Sequence, residues 1–244
     1  MSQNLKSQGY VTNIKLFKLS RNMLKKLLSL GFPSALQMFF EVAIFTAAIW
    51  LSGILGKNPQ AANQIALNLS SMTFMVAMGF SVAAMIRVGN QKGMKRFREL
   101  RRIAFSIFML STMLGVLFAI AFLLLKDHLP KLYLDFDDAN NIADTLEVLT
   151  IASKLMLIAA IFQISDTLQV VVLGALRGMQ DVKIPTFITF IAYWLIGFPI
   201  SYYLGMYTDY ASAGIWIGLL AGLTASAVML LIRFQYLSRR LIVE

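Results

Sequence analysis

The sequence predicts an all-α polytopic membrane protein with six transmembrane helices. Three observations carry that reading. Hydrophobic residues make up 58% of the chain and charged residues only 14%, with a mean hydropathy of +0.71; a soluble domain is about half apolar and a quarter charged. The apolar residues also come in blocks of about twenty or more, the length that crosses a bilayer. Finally, the charges fall between the blocks, and their balance alternates from one connection to the next.

The same counts exclude several functions. With no cysteine there are no disulfides, thiolate metal sites or thiol nucleophiles. The single histidine, His128, lies in a polar loop, which leaves no histidine cluster or triad. No glycine-rich loop ending in Gly-Lys-Ser/Thr is present, so ATP coupling within this chain has no support. The net charge of +10 sits between membrane blocks without interleaved aromatics, a pattern that orients helices and does not point to nucleic acid.

Residues 1–27 carry Lys6, Lys15, Lys18, Arg21, Lys25 and Lys26 and no acid. The apolar run that follows is too long, and lacks the small-residue cleavage pattern, for a signal peptide. Ile14, Leu16, Phe17, Leu19, Met23, Leu24 and Leu27 interleave with the cations, so the segment reads as an amphipathic helix on the cytoplasmic surface or as a disordered basic linker. Six helices are expected at about 28–55, 62–88, 103–125, 146–174, 184–206 and 211–236, followed by a cytoplasmic tail, residues 237–244.

The first connection holds one cation, Lys57. The second holds Arg87, Lys92, Lys95, Arg96, Arg98, Arg101 and Arg102 against Glu99. In the third, Asp127, Asp135, Asp137, Asp138 and Asp144 outweigh Lys126 and Lys131. The fourth has Arg177 and Lys183, the fifth Asp209, and the tail Arg239 and Arg240. Excess cations on alternate connections put both termini in the cytoplasm, and an even helix count requires the two termini to share a side.

Trp50, Tyr202, Tyr203, Tyr207 and Trp216 fall near predicted outer ends, and Tyr236 near an inner end, where amphipathic rings settle. Trp194 lies deeper, so its indole N–H needs a partner in the bundle or a cavity. Gly214, Gly218 and Gly222 recur every four residues in the last helix, spacing that lets a neighbouring backbone approach closely. Pro33 is expected in the first turns of helix one, where a missing N–H costs little. Pro199 is expected to kink helix five.

Two acids stand out by depth. Glu41 lies about 20 Å of helical rise beyond Lys26, and Asp166 about 16 Å before Arg177, which puts both near mid-membrane. An acid there costs about 2.5–3.5 kcal/mol on insertion scales, and an intramembrane charge marks a functional site by default. Two at one depth suggest a shared polar cavity, in which each holds a proton or both bind one cation. The plainer alternative is that each accepts hydrogen bonds from neighbouring hydroxyls.

Gln163 and Gln169 lie three residues either side of Asp166, on its face, and Gln37 lies four before Glu41. Gln64, Asn68 and Ser71 form a stripe on helix two. Such polar stripes also serve as glue between helices. Lys154 is about 18 Å along the helix from Asp166, too far to pair, and is expected to snorkel outward. After Asp166 the helix is expected to break at Gly174-Ala175-Leu176-Arg177-Gly178, with Asp181, Lys183 and Pro185 opening the next.

Three stretches together carry a family resemblance: LGFPSALQMFFEVAIFTAAIW in helix one, AANQIALNLSSMTFMVAMGFSVAAMIRVGN in helix two, and DTLQVVVLGALRGMQDVKIP across the fourth connection. They resemble the C-terminal half of MATE (multidrug and toxic compound extrusion) transporters, over essentially all of residues 15–240. The resemblance implies one six-helix lobe of a twelve-helix fold. It implies that Glu41 and Asp166 match the acidic residues of the NorM-type C-terminal lobe that are implicated in cation coupling; Gln37, Gln163, Gln169 and Asn68 stand beside them as candidates by helix face alone. It further implies a plasma-membrane antiporter, not an enzyme, that exchanges small cationic drugs or dyes for Na⁺ or H⁺ and uses no other cofactor. Its partners would be the lipid bilayer and either a separate N-terminal lobe or a second copy of this chain, since parallel repeats of six helices share one orientation. The readings set beside it are a lipid-linked saccharide flippase of the related superfamily, an intramembrane hydrolase built on Glu41 and Asp166, and a truncated or accessory membrane subunit.

Overall fold

The computed structural model describes residues 20–136 and 141–243. It is all-α, with no strand among the described residues. Among the described residues six helices are long and apolar enough to cross a membrane: α1 (Arg21–Leu55), α2 (Lys57–Gly93), α3 (Phe97–Leu125), α4 (Ile142–Gly178), α5 (Lys183–Met206) and α6 (Ala211–Val243). A short 3₁₀ turn, Pro130–Tyr133, interrupts the connection from α3 to α4. Thirty-seven residues of α4 rise about 55 Å, well beyond a hydrocarbon core of about 30 Å, so its ends project into the interfaces.

Several helix ends differ from the reading of the sequence. The Ser20 hydroxyl accepts the Met23 N–H at 3.2 Å and caps α1. Arg21, Lys25 and Lys26 are therefore the first turns of α1, and Lys6, Lys15 and Lys18 lie outside the described residues, as do Asp137 and Asp138. Pro33 consequently sits well inside a helix. The Thr186 hydroxyl on α5 donates to the Pro33 carbonyl at 2.8 Å, bracing α1 where it lacks an N–H. The first connection shrinks to Gly56 alone, at φ 128°, a conformation that favours glycine. Lys57 then begins α2 and pairs with Asp144 at 2.6 Å, while Asn58 donates to Asp144 and Glu147.

The expected break after Asp166 does not occur, and α4 runs unbroken through Gly178. The glycines serve packing instead. A Cβ at Gly174 would collide with the Ser81 backbone, and one at Gly178 with the Met85 carbonyl. With those Cβ atoms absent, the Ser81 hydroxyl on α2 donates to the Val170 carbonyl at 2.7 Å. Helix α4 is the hub, packed against α2, α3 and α6.

Before Pro199, where a kink was expected, the helix changes its winding. Residues Ile191–Gly197 wind as a π-helix, and the Phe198 N–H reaches back five residues to the Tyr193 carbonyl. Proline cannot supply the next regular bond, and the wider turn absorbs the loss. The glycine stripe of α6 faces this irregular helix: Gly218 meets Ser201, and Gly222 meets Gly197 and the Ala192 carbonyl. The stripe is thus spent on packing within the bundle.

The interior divides into two apolar clusters. One gathers Leu51, Ile65, Phe122, Leu155 and Trp216, the other Val88, Leu100, Val172, Leu230 and Phe234. Between them every central helix contributes buried polar or small residues: Thr73 and Ser81 on α2, Ser111 on α3, Gln163, Asp166, Thr167 and Gln169 on α4, and Ser226 on α6. A polar seam therefore crosses the bundle between two dry layers.

Of the aromatics expected at interfaces, Trp50, Tyr202, Tyr203, Tyr207 and Tyr236 are exposed, but Trp216 is fully buried. Its indole N–H donates to Asn63 Oδ1 at 2.9 Å, and its ring packs edge-on against Phe162. Hydrophobic size won over interfacial preference because an amide on α2 satisfies the ring's one polar atom. Trp194 is half-buried against Phe198, and its N–H finds no partner among the described residues. Asn63→Ala orphans the Trp216 N–H and is expected to lower unfolding stability in detergent by about 1–2 kcal/mol. A thermal melt followed by tryptophan fluorescence reads that loss.

Candidate functional site

The polar seam opens into a cavity of about 430 Å³ between α1, α2 and α4. Both deep acids reach its wall, Glu41 from α1 and Asp166 from α4. From α2 come Gln64, Asn68 and Ser71, the stripe read from the sequence. Phe45, Phe74 and Phe162 supply apolar and aromatic surface. Such a mixture, mostly apolar with a few convergent charges, suits a lipophilic ion.

Asp166 is buried, at 3% exposure, and Glu41 is half-buried. Among the described residues no hydrogen-bond donor closes on the Asp166 carboxylate, and the charges that act on it come from Glu41. The plainer alternative, an acid held by neighbouring hydroxyls, therefore lacks its hydroxyl at Asp166. A buried carboxylate without a protein partner needs a proton or a cation.

The wall also holds a cation that the sequence reading placed elsewhere. By its place in the sequence Arg177 belongs with the inner connection as an orienting charge. Because α4 continues, Arg177 lies eleven residues after Asp166, close to three whole turns, and so on the same face. Its Nη2 donates to Gln37 Oε1 on α1 at 2.9 Å. It lines the cavity and attracts Glu41 electrostatically. Lys154, the only deep cation in the sequence reading, is exposed and stays off the cavity wall.

The remaining candidates separate. Gln37 is buried and occupied by Arg177. Gln163 is buried and takes a 2.5 Å hydrogen bond from the Thr73 hydroxyl, fastening α4 to α2. Gln169 is fully buried, with neither amide atom partnered among the described residues. Neither Gln163 nor Gln169 lines the cavity; Asn68 does. Sharing a face with Asp166 brings a residue into the seam without bringing it to the cavity wall.

Tyr193 was missed. It is buried in the π-helical turn of α5 beside Glu41, and its hydroxyl makes no well-formed hydrogen bond. The available signal was the spacing to Pro199: a proline disturbs the preceding turns, and irregular turns in membrane helices often carry function. Among the described residues no set of three or more histidine, cysteine or acidic side chains gathers as a metal cage. Two carboxylates with amide and hydroxyl oxygens nearby suit a weakly held monovalent ion.

The MatE family profile matches residues 33–203. Over 223 residues, covering 89% of this chain, the sequence is 40% identical to the "Multidrug resistance protein MdtK" of Yersinia pestis (strain Pestoides F). The same identity and coverage hold for the protein of that name from Yersinia enterocolitica serotype O:8. The chain spans about half the length of these curated relatives, 47% in each case. In structure it is similar to the eukaryotic MATE transporter AtDTX14, with a TM-score of 0.77 at 20% identity, covering 91% of this chain and 50% of that one. It is also similar to a MATE transporter solved with the ligand MaD3S, with a TM-score of 0.83 at 15% identity over 95% of this chain and 50% of that one.

Proposed function

The chain belongs to the MATE family, and from that membership and the paired acids of its cavity we propose that it works as one six-helix lobe of a secondary multidrug antiporter in the inner membrane. In this reading the cavity alternately holds a coupling ion, Na⁺ or H⁺, and a small organic cation. The single observation that carries it is the convergence of Glu41 and Asp166, from different helices, on one mostly apolar cavity in mid-bundle. The relatives' printed name supplies the class of cargo.

Asp166 is the residue that takes the cation or proton, since no protein donor competes for it. Glu41 shares the charge, Asn68 and Gln64 offer amide oxygens, and Phe45, Phe74 and Phe162 hold the apolar body of the cargo. Tyr193 brings a hydroxyl beside Glu41. The basic connections put both termini on the cytoplasmic side. The other half of the cleft comes from a complementary lobe or a second copy of this chain. Two carboxylates against one guanidinium leave the wall net negative, which disfavours the pyrophosphate that a lipid-linked saccharide would bring.

The test is ethidium retention in drug-sensitive bacteria that carry the chain alone or beside a complementary lobe, with membrane insertion confirmed by blotting. Cells with the native chain are expected to retain less dye than cells with Asp166→Asn in at least one setting. Equal retention in both settings would overturn the reading.

A further inference from the structure

We infer that Arg177 sets the charge selectivity of the cavity: it serves as a tethered cation that leaves room for one positive charge and turns away two. The inference rests on the cation-binding reading above and deepens it. Three observations support it. Arg177 forms part of the same wall as Glu41 and Asp166. Its position is fixed, because Nη2 is bonded to Gln37, a buried side chain one turn from Glu41 on a different helix. Its Nε is buried with no partner among the described residues, so the guanidinium keeps donor capacity that no protein acceptor takes up.

The consequence follows from counting charges. With both acids ionised the wall carries two negative charges and one positive. A bound monocation balances it, and a dication overshoots it. Arg177 also repels any second ammonium that enters near Glu41. A unit charge several ångströms away in a partly polar site changes binding roughly tenfold or more. A structural arginine, holding α1 to α4 and nothing else, would affect both kinds of ligand equally.

Ethidium and propidium provide the comparison, since they share a phenanthridinium ring and propidium carries one extra quaternary ammonium. Both are titrated by fluorescence into the purified chain in nanodiscs of neutral lipid. The native chain is expected to favour ethidium over propidium by about tenfold. Arg177→Gln is expected to raise propidium affinity about tenfold and ethidium affinity less, closing the gap. Arg177→Lys keeps the charge and is expected to restore the preference, which a purely structural role would not predict.

An unchanged propidium-to-ethidium ratio in Arg177→Gln would overturn the inference while leaving the cation site standing, provided Glu41→Gln/Asp166→Asn still weakens ethidium binding by about a hundredfold. Ethidium binding that survives the loss of both acids would overturn the cation-site reading itself, and the inference with it. If Arg177→Gln does not fold, Gln37→Leu frees the guanidinium without changing the charge. Retention of the ethidium preference there supports charge as the cause, and its loss contradicts it.

Discussion

Replacing both deep acids, Glu41→Gln with Asp166→Asn, is expected to weaken ethidium binding by about a hundredfold, while Asp166→Asn alone is expected to leave thermal stability unchanged or raised. Each carboxylate attracts a monocation in the cavity by about 2–3 kcal/mol at an effective dielectric near 20. Desolvation of the dye offsets part of that, so each single change is expected to cost about tenfold. The two effects add only roughly, because the carboxylates act on one another as well as on the ligand. The stability arm has the opposite sign for a physical reason. Among the described residues no donor holds Asp166, so its amide isostere removes a buried charge without breaking a bond. If Asp166 were fastening helices instead, its replacement would lower the melting temperature. Binding isotherms and a melt on the same preparations separate the cases.

The second large effect is structural. Gly218→Ala is expected to destabilise the chain by about 2–3 kcal/mol, because the new methyl group would meet the Ser201 backbone, which cannot turn aside. The damage would spread to the site, since α6 at this point supports the π-helical turn that carries Tyr193. Gly31→Ala is the internal control. A Cβ there meets nothing within 4 Å, so the substitution is expected to be neutral or to stabilise by up to about 1 kcal/mol through helix propensity. Melting temperatures of the two variants, side by side in detergent, distinguish close helix approach from a general intolerance of change at glycine.

Composition and block length were enough for the six helices, because the bilayer imposes a length and excludes charge from most of it. The place of Glu41 and Asp166 well inside apolar blocks was readable for the same reason. Their convergence on one wall was not, since it depends on how α1 and α4 are rotated against α2. The failures share that origin. Arg177 looked like an orienting charge because glycines usually interrupt helices, yet Gly174 and Gly178 lie against α2 and keep α4 intact. Trp216 looked interfacial because the amide that satisfies it, Asn63, is distant in the chain. Gln163 belonged to the right face and still became a fastener, taken by Thr73.

The central claim is that one carboxylate-lined cavity serves coupling ion and cargo in turn, so that the two exclude each other. Ethidium titrations of the purified chain at rising Na⁺, with ionic strength held constant, and at falling pH test it most directly. The account predicts that at least one of the two raises the apparent Kd in proportion to its concentration while the number of dye sites stays fixed. An apparent Kd indifferent to both ions, or a falling number of sites at constant Kd, would contradict it.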